Sequence, residues 1–257
     1  MLQVKDLYAG YNNKAIIKNI NFSLKEGDIL VLLGPNGSGK STVIKTMSGI
    51  LKPFKGNIMF NDTDLISLKP RDRAKIIATL PQSLSFDFPF SVEEVVAMGR
   101  YPHHGKGKEI VEWAIERLDL QNLRKRKITS LSGGEFKRVV IAKTLAQSSK
   151  ILLLDEPMNN LDLKHQFLLY DILVELSNNG SIIICALHDI NITFALASSV
   201  MLLKDGVPLA FGLPKSVLTP ELLEEVFQIK FSICDRCGSF LSSHQPQDCH
   251  YTNANNY

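Results

Sequence analysis

Long apolar runs are missing from this chain of 257 residues. A membrane-spanning helix needs about 18 consecutive apolar residues, and the longest apolar stretches, such as residues 182–187, are only as long as a strand. Residues 1–7 also lack the apolar segment of a secretory signal peptide. We therefore expect a chain that neither spans a membrane by itself nor is exported by that route.

Cysteine is scarce as well, and its 4 copies are too few for a disulfide scaffold of this size. A reducing, cytoplasmic setting is the expectation that follows. Neither sign of charge dominates, since the chain has 29 Lys and Arg and 26 Asp and Glu. This balance does not indicate a nucleic-acid-binding protein. The 16 glycines and 11 prolines are too few for a collagen-like or low-complexity chain.

Short, continuous apolar segments recur along the chain and predict strands that are buried on both faces of a sheet. Residues 107–120 and 162–178 have the apolar spacing of helices and lie between such segments. This alternation predicts an α/β fold with a mainly parallel sheet. Residues 2–7 and 15–24 flank a turn-prone segment and predict a small antiparallel β subdomain beside it. The predicted strands of the main sheet are residues 29–33, 76–80, 151–154, 182–187 and 200–203.

A phosphate-binding loop of the pattern G-x-x-x-x-G-K-[ST] follows the first of these strands and precedes a helical pattern. Its glycines allow backbone N–H groups to point at phosphate oxygens, and the helix N-terminus adds partial positive charge. Lys40 is predicted to reach the β- and γ-phosphates, and the Ser41 hydroxyl to bind Mg²⁺. The predicted nucleotide contacts in this region are Gly34, Pro35, Asn36, Gly37, Ser38, Gly39, Lys40, Ser41 and Thr42.

Two carboxylates, Asp155 and Glu156, end the predicted strand 151–154. Ligands of open parallel sheets bind at the carboxyl ends of the strands, so both side chains are expected near the phosphates. Asp155 is predicted to hold Mg²⁺, and Glu156 to orient or deprotonate the attacking water.

A third motif, Leu-Ser-Gly-Gly-Glu, occupies residues 131–135. Ser132 and Glu135 have the spacing of a helix capping box, and Gly133 and Gly134 leave backbone N–H groups open to an anion. Capping and phosphate binding compete for the Ser132 hydroxyl. The motif matches the LSGGQ signature with Glu at the last position, and over about residues 2–230 the chain resembles the nucleotide-binding subunit of ABC transporters.

The resemblance assigns four further residues. Tyr11 matches the aromatic residue that stacks on adenine, and Gln82 matches the glutamine that joins the metal shell and senses the membrane partner. Asp162 lies in the loop that crosses to the other subunit. His188 matches the histidine that contacts the γ-phosphate.

The family also implies an architecture and an assembly. The expected fold is a P-loop NTPase (RecA-like) core with the N-terminal antiparallel β subdomain and an inserted α-helical subdomain at about residues 83–150. The cassette would occupy residues 1–230, with a Cys- and His-containing tail at 231–257. Two copies would sandwich two ATP molecules head to tail, on the cytoplasmic face of the membrane, with two permease subunits and an extracytoplasmic binding protein as partners.

Residues 88–103 resemble the segment found in importers of iron–siderophore complexes, haem and cobalamin, where it forms a groove for the permease. Residues 88–101, including Arg100, are therefore predicted to dock the permease, and a ferric siderophore is the preferred cargo, with haem or cobalamin as alternatives. The rival is a soluble ABC ATPase that acts on nucleic acid or ribosomes. The basic residues 124–127 favour that rival, but the chain has neither a second cassette nor a long coiled-coil insertion.

The tail contains a C-x-x-C-G sequence, in which a glycine lets backbone N–H groups approach thiolates. With a later His and Cys, it could complete a tetrahedral Zn²⁺ site. A redox-sensitive cysteine pair and a polar tail with incidental cysteines are the alternatives. The predicted ligands are Cys234, Cys237, His244 and Cys249.

Overall fold

The structure is a computed structural model that describes residues 1–84, 88–234 and 238–242. Its strands are β1 (Leu2–Tyr11), β2 (Lys14–Leu24), β3 (Ile29–Leu33), β4 (Lys55–Phe60), β5 (Thr63–Asp64), β6 (Ile77–Leu80), β7 (Ile151–Asp155), β8 (Ile182–Ala186), β9 (Ser199–Lys204), β10 (Val207–Gly212), β11 (Phe231–Ile233) and β12 (Phe240–Ser242). Its helices are α1 (Lys40–Met47), α2 (Pro70–Ile76), α3 (Val92–Ala97), α4 (Lys108–Arg117), α5 (Gly133–Ala146), α6 (Leu163–Asn178), α7 (Ile190–Leu196), α8 (Pro214–Val217) and α9 (Pro220–Phe227). Short 3₁₀ segments lie at Met98–His103, Gln121–Leu123 and Ile128–Ser130.

The central sheet has the strand order β10-β9-β3-β8-β7-β6. Strands β6, β7, β8, β3 and β9 run parallel, and β10 pairs antiparallel with β9 at the edge. Every residue of β3, β7 and β8 is buried, as the continuous apolar runs predict. Because β8 lies between β3 and β7, the carboxyl ends of these three strands lie side by side.

A second, antiparallel sheet has the order β2-β1-β4-β5. Strands β1 and β2 form the predicted N-terminal hairpin, and Asn12 and Asn13 at its turn have φ of 50° and 59°. Asparagine tolerates this left-handed conformation well, which explains the tight two-residue turn. Strands β4 and β5, which periodicity did not predict, complete this sheet. The P-loop NTPase fold with its antiparallel N-terminal sheet is thereby confirmed.

A helical layer lies between β6 and β7 in the chain. Helices α3, α4 and α5 share one apolar core, in which Val95, Ile115 and Val139 are fully or almost fully buried. The capping box at Ser91 and Glu94 defines the start of α3. The limits of this subdomain at about residues 83–150 and of the cassette at 1–230 stay predictions.

The position of Arg100 contradicts the expectation that this residue docks the permease. The side chain is only 6% exposed, so it is not available to dock a partner. Its guanidinium donates hydrogen bonds to the carbonyl oxygens of Lys106 at 2.7 Å, Ala146 at 2.9 Å and Gln147 at 3.1 Å. Two of these carbonyls end α5, where a cation also balances the helix dipole. Arg100 therefore holds the helical layer together, and the prediction that it contacts the permease is wrong.

None of the helices in the described residues has both the length and the apolar character that crossing a bilayer requires.

Candidate functional site

The phosphate loop joins β3 to α1, and two of its glycines are required by geometry. Gly34 has φ of 153°, and a Cβ there would lie 2.3 Å from the carbonyl oxygen of Leu203. Gly39 has φ of 101°, and a Cβ there would lie 2.7 Å from Cγ2 of Ile17. A side chain at Gly34 would collide with backbone, and at both positions any other residue would adopt a strained positive φ.

The side chain of Lys40, the first residue of α1, packs against the phosphate loop. Its side chain is 5% exposed, and Nζ donates to the carbonyl oxygens of Gly34 at 2.7 Å and Pro35 at 3.0 Å. Burial lowers the pKa of Lys40, and the nearby carboxylates of Glu156 and Asp155 partly oppose that shift. Among the residues that the structure describes, no carboxylate makes a hydrogen bond with this ammonium, which is therefore suited to bind added negative charge.

A cavity of about 680 Å³ opens beside this loop, a size typical of sites for small organic ligands. It brings together most of the residues that were singled out for nucleotide chemistry. Those that line it are Tyr11, Asn36, Gly37, Ser38, Gly39, Lys40, Ser41, Thr42, Gln82, Glu156 and His188.

Glu156 is held by three side chains. Nε2 of His188 lies 2.6 Å from Oε1 of Glu156, and Nε2 of Gln82 donates to Oε2 at 3.1 Å. The amide of Asn159 donates to the same Oε2 at 2.7 Å. Burial disfavours the charged carboxylate, but the hydrogen bonds from His188 and Gln82 outweigh it, and the pKa of Glu156 is lowered. The group is therefore an ionised acceptor at neutral pH, as an activator of water requires.

The residues around Asp155 fit a divalent cation. Asp155 is 2% exposed, and within the described residues its Oδ1 is buried without a hydrogen-bond partner. Burial raises the pKa of this carboxyl group, and a hydrogen bond from Ser41 opposes the rise. Mg²⁺ prefers such oxygen ligands. Asp155, the Ser41 hydroxyl and the amide oxygen of Gln82 are the groups that would hold it.

The signature motif forms the predicted capping box at the start of α5. The Ser132 hydroxyl accepts from the backbone N–H of Glu135 at 3.3 Å, and the Ser132 N–H donates to Oε2 of Glu135 at 2.8 Å. A hydroxyl that accepts one bond still has a proton to donate, so the expected competition between capping and phosphate binding is not required. An added Cβ at Gly133 would meet nothing within 4 Å, so this face is open.

Gly34 and Pro35 of the phosphate loop do not line the cavity, and neither do four predicted nucleotide contacts that lie outside the loop. Three are Ser132, Gly133 and Gly134 at the open start of α5. The fourth is Asp162, whose carboxylate caps α6 by accepting from the His165 N–H at 2.9 Å. A single chain therefore does not bring the signature motif to its own phosphate loop.

Asn159 and Lys137 contact Glu156 and were missed by sequence reasoning. The sequence did show a pair of asparagines shortly after Asp155-Glu156-Pro157, and an amide three residues after the predicted base could have indicated Asn159.

 Lys137 gives no comparable signal in the sequence. Nζ of Lys137 donates to the carbonyl oxygen of Glu156 at 3.0 Å, and only the folding of α5 beside the end of β7 brings the two groups close.

The tail site cannot be assembled from the described part of the chain. Cys234 is buried at the end of β11, and its backbone bonds to Ser239 and Gly238. Cys237, His244 and Cys249 lie outside the described residues. Within residues 1–84, 88–234 and 238–242, no three His, Cys, Asp or Glu side chains form a group that could hold a metal ion.

Comparisons with known proteins agree with the geometry. The family model described as ABC transporter matches residues 17–159. The chain is 38% identical over 242 residues to a hemin import ATP-binding protein of Chelativorans sp. (strain BNC1), covering 91% of this chain and 93% of that protein. It is 36% identical over 240 residues to an iron(3+)-hydroxamate import ATP-binding protein of Bacillus subtilis (strain 168), covering 90% of this chain and 89% of that protein.

A solved structure shows the same architecture. It is an inward-facing metal-chelate type ABC transporter, with a TM-score of 0.77 and 31% sequence identity, and the match covers 94% of this chain and 95% of that one. The phosphate loop, the paired carboxylates and the capped signature helix all lie within residues 17–159, which the family model matches. The chain therefore belongs to the ABC transporter family, as an ATP-binding subunit whose ATP hydrolysis is coupled to transport.

Proposed function

We propose that this subunit powers the import of a metal chelate, with a ferric siderophore as cargo, through a separate membrane permease. The observation that carries the chemical part is the ionised Glu156, held at the rim of a cavity that also contains the phosphate loop. The cargo class is supported by the hydroxamate and hemin import relatives and by the metal-chelate transporter structure.

Four side chains of the cavity have chemical tasks in ATP hydrolysis under this proposal. Lys40 leaves the loop carbonyls to neutralise the β- and γ-phosphates, and Tyr11 stacks on the adenine. Glu156 accepts the proton of the attacking water, while His188 contacts the γ-phosphate. Bound Mg²⁺ would supply charge neutralisation for the phosphate oxygens, held by Asp155 and its neighbours.

The second copy of the chain completes the site in this proposal. Ser132, Gly133 and Gly134 are exposed or half-buried and lie away from their own cavity, so they are free to meet the phosphates bound by another copy. The positive end of α5 then faces the γ-phosphate from the opposite side. Two such contacts related by a two-fold axis give the head-to-tail dimer.

A groove on the helical layer is the proposed permease site. It has a volume of about 600 Å³, and Phe90, Met98 and Tyr101 contribute to its wall. Tyr101 is 73% exposed, and the guanidinium of Arg71 lies 5.5 Å from the centre of its ring. An exposed aromatic ring held by a cation is the kind of residue that dominates binding at protein interfaces. The subunit would then sit peripherally on the cytoplasmic face of the membrane, opposite an extracytoplasmic binding protein.

Replacing Tyr101 tests this docking surface. We expect Tyr101→Ala to weaken assembly with the permease about tenfold or more, because truncating an interface aromatic commonly costs over 1.4 kcal/mol. Basal ATP hydrolysis by the isolated subunit should change less than about twofold, since Tyr101 does not line the nucleotide cavity. Phe54→Ala, at an exposed aromatic residue just before β4, is the matched control. Equal losses of assembly and basal hydrolysis would instead indicate a folding defect.

The nucleic-acid alternative loses its main support in the structure. Arg124, the first residue of the basic run, bonds to both Glu93 and Glu112, with distances from 2.5 to 2.8 Å. These bonds raise the pKa of the guanidinium and neutralise its charge within the helical layer. Arg126 donates to the carbonyl oxygen of Ser130. The run is therefore partly used inside the protein rather than presented to a phosphate backbone.

Reconstitution with the permease tests the cargo. Vesicles that contain the permease, this subunit and the binding protein should take up a ferric hydroxamate only when Mg²⁺ and ATP are supplied on the side of the subunit. Hemin and cobalamin in parallel vesicles distinguish the alternative cargoes. Uptake of none of the three, with ATP hydrolysis intact, would refute metal-chelate import.

A Zn²⁺ site in the tail stays a prediction. Metal analysis of untagged, fully reduced protein checks it directly. Stoichiometric Zn²⁺ that disappears in the Cys234→Ser, Cys237→Ser double variant would support it, and metal-free wild-type protein would refute it.

A further inference from the structure

Glu156 has a backbone conformation that its neighbours must maintain. Its φ is 51°, in the left-handed region, which costs a residue with a Cβ about 1–2 kcal/mol. Its N–H donates to the carbonyl oxygen of Ala186 at 3.2 Å, and the backbone N–H of Asn159 lies 3.4 Å from the Glu156 carbonyl oxygen. Both contacts are long for hydrogen bonds between backbone groups. Backbone bonds alone therefore hold this turn weakly.

Lys137 provides the shortest hydrogen bond to this backbone. Its Nζ donates to the Glu156 carbonyl oxygen at 3.0 Å. Burial lowers the pKa of Lys137, whereas the carboxylates of Asp155 and Glu156 favour the ammonium form. Placing an ammonium in a half-buried position has a desolvation cost, and the hydrogen bond that Lys137 makes here goes to the backbone of the proposed base.

The position of Lys137 on α5 also connects the signature motif to the backbone of Glu156. Helix α5 begins at the Ser132 cap, and Lys137 lies in its second turn. A helix is stiff over so short a distance, so a movement of the signature motif is transmitted to Nζ of Lys137. The carbonyl of Glu156 and the position of its carboxylate are then tied to the start of the helix that carries the signature.

We propose that Lys137 is a positioning residue that sets the backbone of Glu156 and ties the placement of its carboxylate to the signature helix. The inference rests on the proposed role of Glu156 as the base that activates water. Lys137 itself touches neither water nor nucleotide in this scheme. Misplacing a reacting group by about 1 Å can cost about a hundredfold in rate, so one lost backbone contact can have a large kinetic effect.

A split between kcat and KM tests the proposal. Lys137→Met keeps the apolar stem and removes the donor, and we expect it to lower kcat about 10- to 100-fold. The KM for ATP and the affinity for a fluorescent ATP analogue should change less than about twofold, because the phosphate loop is untouched. Lys137→Arg restores a donor and should recover most of kcat.

Lys143→Met is the matched control. Lys143 is a lysine on the same helix, it is also half-buried, and burial lowers its pKa too, but it lies six residues further along α5. This variant should keep kcat within about threefold, since only the packing of the stem is altered. A kcat for Lys137→Met that matches that of Lys143→Met, or no recovery in Lys137→Arg, would overturn the proposal.

A double variant of Lys137 and Glu156 provides a second test. In single-turnover experiments on the Glu156→Gln background, Lys137→Met should lower the residual rate less than about threefold, because the base it positions is already gone. The same large loss in both backgrounds would show that Lys137 acts elsewhere. Failure of the proposed role of Glu156 is recognised separately, since the Glu156→Gln variant alone would then hydrolyse ATP at a near-normal rate.

Discussion

Glu156→Gln is expected to abolish most ATP hydrolysis while leaving ATP binding intact. The amide cannot accept the proton of the attacking water, and loss of a general base commonly lowers kcat about 10²- to 10⁴-fold. ATP affinity should be unchanged or higher, because one negative charge near the γ-phosphate disappears. A steady-state phosphate-release assay with the permease present, beside equilibrium binding of an ATP analogue, measures both quantities.

The same variant should accumulate as an ATP-bound dimer. If the signature motif of one copy closes over the nucleotide of another, slow hydrolysis leaves the closed dimer populated, and light scattering with Mg²⁺ and ATP would detect it. Glu116→Gln, at an exposed carboxylate on α4, is the control and should remain fully active. Near-normal turnover in Glu156→Gln would remove this residue from the role of general base.

The elements that sequence reasoning predicted are those whose causes are local. Strands β3, β7 and β8 are apolar at every buried position except Asp155, so their pattern alone shows burial on both faces. The capping box at Ser132 is a contact between residues three apart, which spacing predicts directly. The cavity follows from these elements, since parallel strands bring their carboxyl ends to one edge.

The side-chain positions that the sequence did not predict depend on contacts between distant segments of the chain. Arg100 carries a charge and belongs to a segment that resembles a docking region, so exposure was the natural expectation. In the structure, the free carbonyls at the end of α5 bind its guanidinium and bury it. Lys137 is a similar case, because its partner is a backbone carbonyl 19 residues away, which no side-chain pattern indicates.

Asn159 illustrates a signal that was present but discounted. Asn159 and Asn160 follow Pro157 after one intervening residue, and the sequence analysis assigned neither of them a role. The structure uses the amide of Asn159 to bind Oε2 of Glu156 at 2.7 Å. A polar side chain three residues after a carboxylate, in a turn, can reach back to it, and this short-range possibility is readable from sequence.

Lys40→Ala is expected to weaken nucleotide binding rather than catalysis alone. The ammonium is the cation that we assign to the β- and γ-phosphates, and charged hydrogen bonds contribute about 1.5–3 kcal/mol. The dissociation constant for ATP should therefore rise about 10- to 150-fold. AMP, which lacks both phosphates, should bind the variant and the wild type with similar affinity. Titration calorimetry with ATP and AMP measures the difference.

The same substitution should also lower stability without nucleotide. Lys40 is buried and donates to the carbonyl oxygens of Gly34 and Pro35, so its removal leaves two loop carbonyls without this donor. A loss of about 1–3 kcal/mol in the free energy of unfolding is expected from chemical denaturation. Lys52→Ala, at an exposed lysine, should change neither stability nor affinity. Binding of ATP by Lys40→Ala as tight as that of the wild type would contradict this prediction. The loop would then bind phosphate through its backbone alone, and Lys40 would only stabilise the loop without nucleotide.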